Sequence, residues 1–190
     1  MDAQKALSSL HCELKIMKAK NIQLSNSSGY LFVRCYLSAG NNKRVRVDSR
    51  QVSSKGDISW NESFSMDCIG SKQSMDMIMH GTILLELRWR GKTNAFFGRS
   101  RLVGRAEVPW RGAFESPNME IERWVMMESK KHAPSVCVSM KIEVPSSGGL
   151  VRKMNNWDER CGCCQCHGDC CNTTFVDNEL LFIGVALDAF

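Results

Sequence analysis

Trp60-Asn61-Glu62-Ser63-Phe64 sets two large aromatic side chains four residues apart with polar residues between them. In an extended chain side chains alternate between two faces, so Trp60 and Phe64 share a face and anchor a core there. Asn61 and Glu62 then serve turn and strand-edge hydrogen bonding. On both sides of this stretch the same two-residue rhythm, or a short continuous apolar run, recurs between clusters of Gly, Asn, Ser and Lys. The pattern predicts strands at 12–19, 30–38, 43–52, 60–68, 81–90, 102–109, 122–127 and 136–144, and a short helix within 71–79. Eight short strands with no long helical pattern between them make the chain all-β. The expected fold is an eight-stranded antiparallel β-sandwich rather than a parallel α/β sheet.

Pro145-Ser146-Ser147-Gly148-Gly149 punctuates the chain and divides it into a sandwich over 1–145 and a linker and tail over 146–190. With 190 residues and 43% hydrophobic content there is room for one domain with a real core plus an appendage. Six of the ten cysteines fall within 161–171, and the last stretch, 180–190, is apolar but far too short to cross a bilayer as a helix. No run of 18 apolar residues occurs, and Met1-Asp2-Ala3-Gln4-Lys5 lacks the basic-then-apolar build of a secretion signal. The expected location is cytoplasmic, peripheral at the plasma membrane or an endomembrane. Thiols there stay reduced, so the cysteines are not read as a disulfide framework.

Charge is uneven. Residues 151–190 carry three Lys or Arg against six Asp or Glu, a net of −3, which leaves +8 on the first 150 residues of a chain that totals +5. A basic body attracts anionic partners, with lipid headgroups and nucleic acid both eligible. An ordinary solvated surface is the plain alternative.

Four segments of the strand pattern resemble those of C2 domains. Leu14-Lys15-Ile16-Met17-Lys18-Ala19-Lys20-Asn21-Ile22 is similar to their opening strand and the turn that follows it. Gly29-Tyr30-Leu31-Phe32-Val33-Arg34-Cys35-Tyr36-Leu37 resembles the next segment, Trp60-Asn61-Glu62-Ser63-Phe64 the Trp-Asn-Glu-x-Phe strand start, and Leu102-Val103-Gly104-Arg105-Ala106 the later Ile-Gly strand. They stand in the family's order over roughly 10–145. Beginning at the Leu14 strand, that order resembles the type II permutation of many small plant C2 proteins. The tail lies outside the resemblance.

Calcium-dependent C2 domains hold the ion with about five aspartates on two loops, because a hard cation takes several carboxylate oxygens. Here Ser28-Gly29 stands where the family has Asp-Pro. The loop over 89–101 has no carboxylate, and Asp57 alone remains in the middle loop. A divalent cation near Arg90, Lys92, Arg99 and Arg101 meets net repulsion, so calcium is not expected as a cofactor. The same side chains suit an anionic phospholipid membrane directly, at about 1 kcal/mol per Lys or Arg. Phe96 and Phe97 either insert into the bilayer, for roughly 1.5–3 kcal/mol per buried ring, or fold back over the sandwich end.

A second basic group is Lys43-Arg44-Val45-Arg46, with Arg50 following. Alternation sends Arg44 and Arg46 to one face, and Val45 and Val47 to the core. The resemblance implies phosphoinositide binding by Lys43, Arg44 and Arg46, and a solubilising outer face is the alternative.

In the tail, Cys161, Cys163, Cys164, Cys166, Cys170 and Cys171, with His167 among them, have the density for a soft metal such as zinc, although the spacing is closer to a metallothionein fragment than to a zinc finger. S-acylation beside an apolar segment is the other reading, and a redox-sensitive or functionless tail a third. Cys12, Cys35, Cys68 and Cys137 read as small core hydrophobes.

No enzyme is expected, because the four histidines are scattered and neither a nucleophile elbow nor a phosphate loop appears. His11 and His80 read as satisfied structural residues. The Asn-x-Ser/Thr triplets at Asn26, Asn61 and Asn172 are incidental without a secretion signal. Nucleic acid is the less favoured partner, since only two tyrosines occur and most aromatics fall at apparent core positions rather than on a stacking platform. The expected function is calcium-independent docking onto anionic membranes as a peripheral targeting or adaptor module in signalling, trafficking or stress response. A protein-protein interaction scaffold, or a zinc-binding protein acting through the tail, is the alternative.

Overall fold

The strand that begins at the Trp60 motif runs as β5 (Ile58–Gly70), and its neighbours assemble around it. In the computed structural model, residues 8–24, 28–38, 44–92, 100–129, 132–145 and 181–189 are described. They form β1 (Ser8–Lys20), β2 (Gly29–Ser38), β3 (Arg44–Asp48), β4 (Val52–Ser53), β5, α1 (Lys72–Met79), β6 (Thr82–Gly91), β7 (Arg101–Pro109), α2 (Arg111–Phe114), β8 (Glu120–Met126), β9 (Ser135–Glu143) and β10 (Leu181–Ala189). Each of the eight expected strands is present. The region expected as one strand over 43–52 is split, because Ser49 turns the chain: its N–H donates to Val33 O at 2.8 Å and its Oγ accepts Val33 N–H at 2.9 Å. The expected short helix is α1, opened by Ser71, whose Oγ accepts the Ser74 N–H at 3.3 Å as an N-cap.

Two antiparallel sheets result. The first has the order β10-β5-β1-β9-β8, the second β3-β2-β6-β7 with the short β4 also on β2. Since β1 lies between β5 and β9, the first and last strands of the 8–143 body are hydrogen-bonded neighbours, as the permuted strand order requires. Strand β10 pairs with the other edge of β5, Leu187 opposite Phe64 and Val185 opposite Met66. The apolar C-terminal stretch therefore extends the first sheet instead of remaining in an irregular tail. A nine-residue apolar run has no periodicity that announces pairing, and a sheet edge that would otherwise carry bare N–H and C=O groups supplies the partner.

Between the sheets, Trp60, Phe64, Met66 and Cys68 from β5 interleave with Leu14 and Ile16, Leu31 and Val33, Leu85 and Leu87, and Val138 and Met140. Trp60 is 0% and Phe64 2% exposed, so the aromatic pair is the core anchor its spacing predicts. Asn61 adopts φ 47°, a left-handed conformation that Asn tolerates better than most residues. The register slips at this point, with Ile16 opposite Glu62 and Lys18 opposite Ser59. Asn61 Nδ2 donates to Ser59 Oγ at 3.1 Å, the turn role expected of it, whereas Glu62 lies on an interior strand and is buried, where it accepts the Arg50 N–H at 2.8 Å instead of serving a strand edge.

Candidate functional site

Strand direction gathers the β1–β2, β6–β7 and β8–β9 connections, together with 49–57, at one end of the sandwich. At that end Gly29 on β2 faces Gly91 on β6. The Trp89 indole fills the space a side chain would need: a Cβ on Gly29 would stand 2.6 Å from Trp89 Nε1 and would meet the Arg90 carbonyl, and one on Gly91 would stand 3.0 Å from Trp89 Cη2. Position 29 therefore has room for glycine and not for a side chain. The exposed Arg101 lies opposite Trp89 and stacks its guanidinium over the indole, 5.3 Å from the centroid. Arg90 is half-buried, opposite Tyr30 and 5.5 Å from the Phe32 ring, and Lys92 is exposed just beyond β6. The register thus brings Arg90, Lys92 and Arg101 to one rim. Phe96, Phe97 and Arg99 lie outside the described residues.

The outer face of the second sheet carries the other basic group. Arg44 and Arg46 are exposed on β3 while Val45 and Val47 turn inward, as alternation requires. Lys43 lies outside the described residues. Arg46 stands opposite Tyr36, six residues along β2 from Tyr30, which faces Arg90. At ~3.3 Å per residue the two groups are roughly 20 Å apart. They are two clusters, not one. Arg50 joins neither: its N–H is donated to Glu62 and its guanidinium to the Trp60 carbonyl, which turns it toward β5.

Other arginines on this face are committed to partners. Arg34 donates from Nε and Nη2 to both Asp48 oxygens at 2.7 and 2.8 Å. That hydrogen bonding, more than any other influence, holds the Asp48 carboxyl below the usual range and raises the guanidinium of Arg34. Arg88 donates to Glu86 at 2.6 Å and to Ser100 Oγ and O at 2.8 and 3.0 Å. Between them Phe32, although on the outward side of β2, is only 2% exposed, with Arg34 5.7 Å from its ring centroid.

A calcium ion fits this donor set poorly. Residues 21–29 and 89–101 contain no carboxylate, 49–57 contain only Asp57, and the β8–β9 connection, 127–134, contains only Glu128, whose backbone pairs with Arg105. Asp48 is engaged by Arg34, and Glu62 is buried against the Arg50 amide. Among the described residues no group of three or more His, Cys, Asp or Glu could hold a metal ion. The tail residues Cys161, Cys163, Cys164, Cys166, His167, Cys170 and Cys171 lie outside the described residues.

Sequence reasoning missed a further cluster on the outer face of the first sheet. Trp124 is 40% and Met126 73% exposed, because Val125 and Met127, in the opposite phase of β8, take the core positions. Trp124 is thus one of the aromatics outside the core, and the phase of its neighbours was the signal. Lys20 Nζ lies 3.9 Å and Lys18 Nζ 5.8 Å from its ring centroid. Cys12, Cys35, Cys68 and Cys137 are all buried, but Cys137 faces outward beneath this cluster, its Sγ 3.8 Å from Met17 Sδ. Burial first, then Glu122, push its thiol up, while Lys18 and Lys20 oppose them. His11 is satisfied by Asp67 at 2.6 Å and His80 by the Asp76 carbonyl at 2.8 Å. No helix of the described residues is long and apolar enough to cross a membrane.

No family model and no curated protein matches the sequence. Solved structures do. A structure of CC2D1B is 14% identical, with a TM-score of 0.57, and the match covers 74% of this chain and 57% of that one. A single C2 domain of a plant extended synaptotagmin 1 is 12% identical with a TM-score of 0.53, covering 73% and 96%. A calcium-bound pair of C2 domains from extended synaptotagmin 2 is 17% identical with a TM-score of 0.52, covering 75% and 45%. The chain therefore spans about half the length of the CC2D1B and extended synaptotagmin 2 structures it matches, and nearly all of a single C2 domain. Two antiparallel sheets in this strand order, superposing on C2 domains over three-quarters of the chain, give this protein the C2 fold.

Proposed function

We propose that the chain is a calcium-independent, non-catalytic module that docks end-on onto anionic phospholipid membranes. The carrying observation is the loop end of the second sheet, where Arg90 and Lys92 close β6 and Arg101 stacks on Trp89, beside connections whose sequences supply two carboxylates, Asp57 and Glu128. In the calcium-bound extended synaptotagmin 2 structure an ion is present; here fixed cations take over the attraction that a metal would mediate between protein and headgroup. Three cations at ~1 kcal/mol each amount to about two orders of magnitude in membrane partitioning, enough for reversible attachment. Arg44 and Arg46 lie in the half of the sheet remote from the rim and serve as an auxiliary contact when the domain tilts.

Sedimentation with vesicles containing phosphatidylserine, against vesicles of phosphatidylcholine alone, tests this in calcium and in chelator. Retention on the anionic vesicles with calcium chelated supports the proposal. Binding that requires calcium, or that a competing oligonucleotide displaces in preference to lipid, refutes it. A stable protein complex without vesicle binding would favour the scaffold reading instead.

A further inference from the structure

The cluster on the outer face of the first sheet has no role in the rim just described, which belongs to the second sheet. Register makes it two adjacent rows. Trp124, Cys137 and Lys18 follow one another across β8, β9 and β1, and Met126, Ser135 and Lys20 do the same one step nearer the loop end. The rows combine an aromatic ring with a polar N–H, a flexible thioether and two ammonium groups. Trp and Met stay exposed here, although large apolar side chains at adjacent positions of a sheet usually mark a contact surface.

Charge says what kind of surface. Among the described residues neither Lys18 nor Lys20 is in a salt bridge; their near neighbour is the Trp124 ring, and Glu122, directed at Cys137, is the acidic group beside them. The far half of the same face is different, with Lys141 paired to Glu143 at 2.7 Å and His11 to Asp67 at 2.6 Å. Among the described residues of this face, uncompensated lysines and exposed large apolar groups therefore coincide at the loop end. An indole whose ring prefers a headgroup-level setting, flanked by lysines, suits the boundary of an anionic bilayer.

We propose that Trp124, Met126, Lys18 and Lys20 form a second contact with anionic phospholipid, on the opposite sheet from Arg90, Lys92 and Arg101. The inference rests on the membrane-docking reading and deepens it, since the two rims flank one end and a single upright pose brings both to the bilayer. Trp124 and Met126 enter the interfacial layer while the two ammonium groups meet headgroup phosphates.

The test uses the full chain with phosphatidylserine vesicles carrying brominated acyl chains, which quench tryptophan that enters the bilayer. Wild type shows quenching on binding, and Trp124→Phe loses most of it, which separates this residue from the other four tryptophans. Lys18→Ser with Lys20→Ser weakens binding by at least about tenfold, and Met126→Ser weakens it further. Far-UV circular dichroism and thermal unfolding confirm that each variant is folded. Unchanged quenching in Trp124→Phe, or wild-type binding by the lysine variant, overturns this contact. If Lys92→Ala with Arg101→Ala still weakens binding about 30-fold in that case, the docking reading survives without it. Failure of the wild type to bind anionic vesicles overturns both.

Discussion

Removing cations from one end of the sandwich at a time separates upright docking from docking on a flat face. Lys92→Ala with Arg101→Ala deletes two charges at the rim, and Arg44→Ala with Arg46→Ala deletes two on the remote half of the same sheet; all four side chains are exposed. Arg90 is left in place because it is half-buried against Phe32, so its removal would mix folding with binding. Each charge at a bilayer surface contributes ~1 kcal/mol, so a pair in contact is worth about 30-fold in the vesicle partition coefficient. The clusters are roughly 20 Å apart, from six strand residues at ~3.3 Å each. That is more than twice the Debye length of about 8 Å at physiological salt. In an upright pose the rim pair therefore loses about 30-fold and the β3 pair less than about threefold. Vesicle titration followed by sedimentation at fixed ionic strength reads both. Equal losses would mean the sheet lies flat, and no loss from the rim pair would refute the placement of the membrane at the loop end.

Three further outcomes concern the framework. Gly29→Ala forces a methyl into Trp89 and the Arg90 backbone and should cost about 1–3 kcal/mol, visible as a lower urea midpoint at unchanged slope; wild-type stability would show that the indole moves aside freely. Trp60→Ala empties the centre of the core at a fully buried position and should cost about 3–5 kcal/mol in the same assay. Asp48 is ionised more readily in the folded protein than in the unfolded chain, because Arg34 holds it. Its pairing thus adds stability at neutral pH that is lost as pH falls from about 4 through its lowered folded value. Asp48→Asn should be less stable than wild type at pH 7, with the gap closing in acid; a gap independent of pH would remove the ion pair as its cause.

Much of the framework was legible because it depends on alternation. Trp60, Phe64, Val45 and Val47 point inward where a period of two sends them, and Ser71 starts the helix where its hydroxyl can cap. The candidate site was legible only in part. The loop cations could be listed from the sequence, yet Arg44 and Arg90 look equally available there, and nothing local says that they belong to different ends of one sheet. Arg50 looked like a continuation of the basic strand until Ser49 bent the chain and gave its guanidinium to Trp60. Trp124 drew no reading from the sequence, and its exposure follows from Val125 and Met127 taking the inward phase of β8.

By itself the sequence determined the sandwich, the succession of its main strands over the first 145 residues, its basic charge and the scarcity of carboxylates in its loops. Each follows from the two-residue period, turn chemistry and residue identity, which are local properties. Only the tertiary structure decided that Leu181–Ala189 joins the first sheet on β5, that the arginines of the second sheet divide into paired and free, and that Lys18 and Lys20 flank Trp124. Those facts depend on which strands become neighbours and in what register. Sheet hydrogen bonding sets both across the more than one hundred residues that separate Lys20 from Trp124, a distance over which no sequence period carries information.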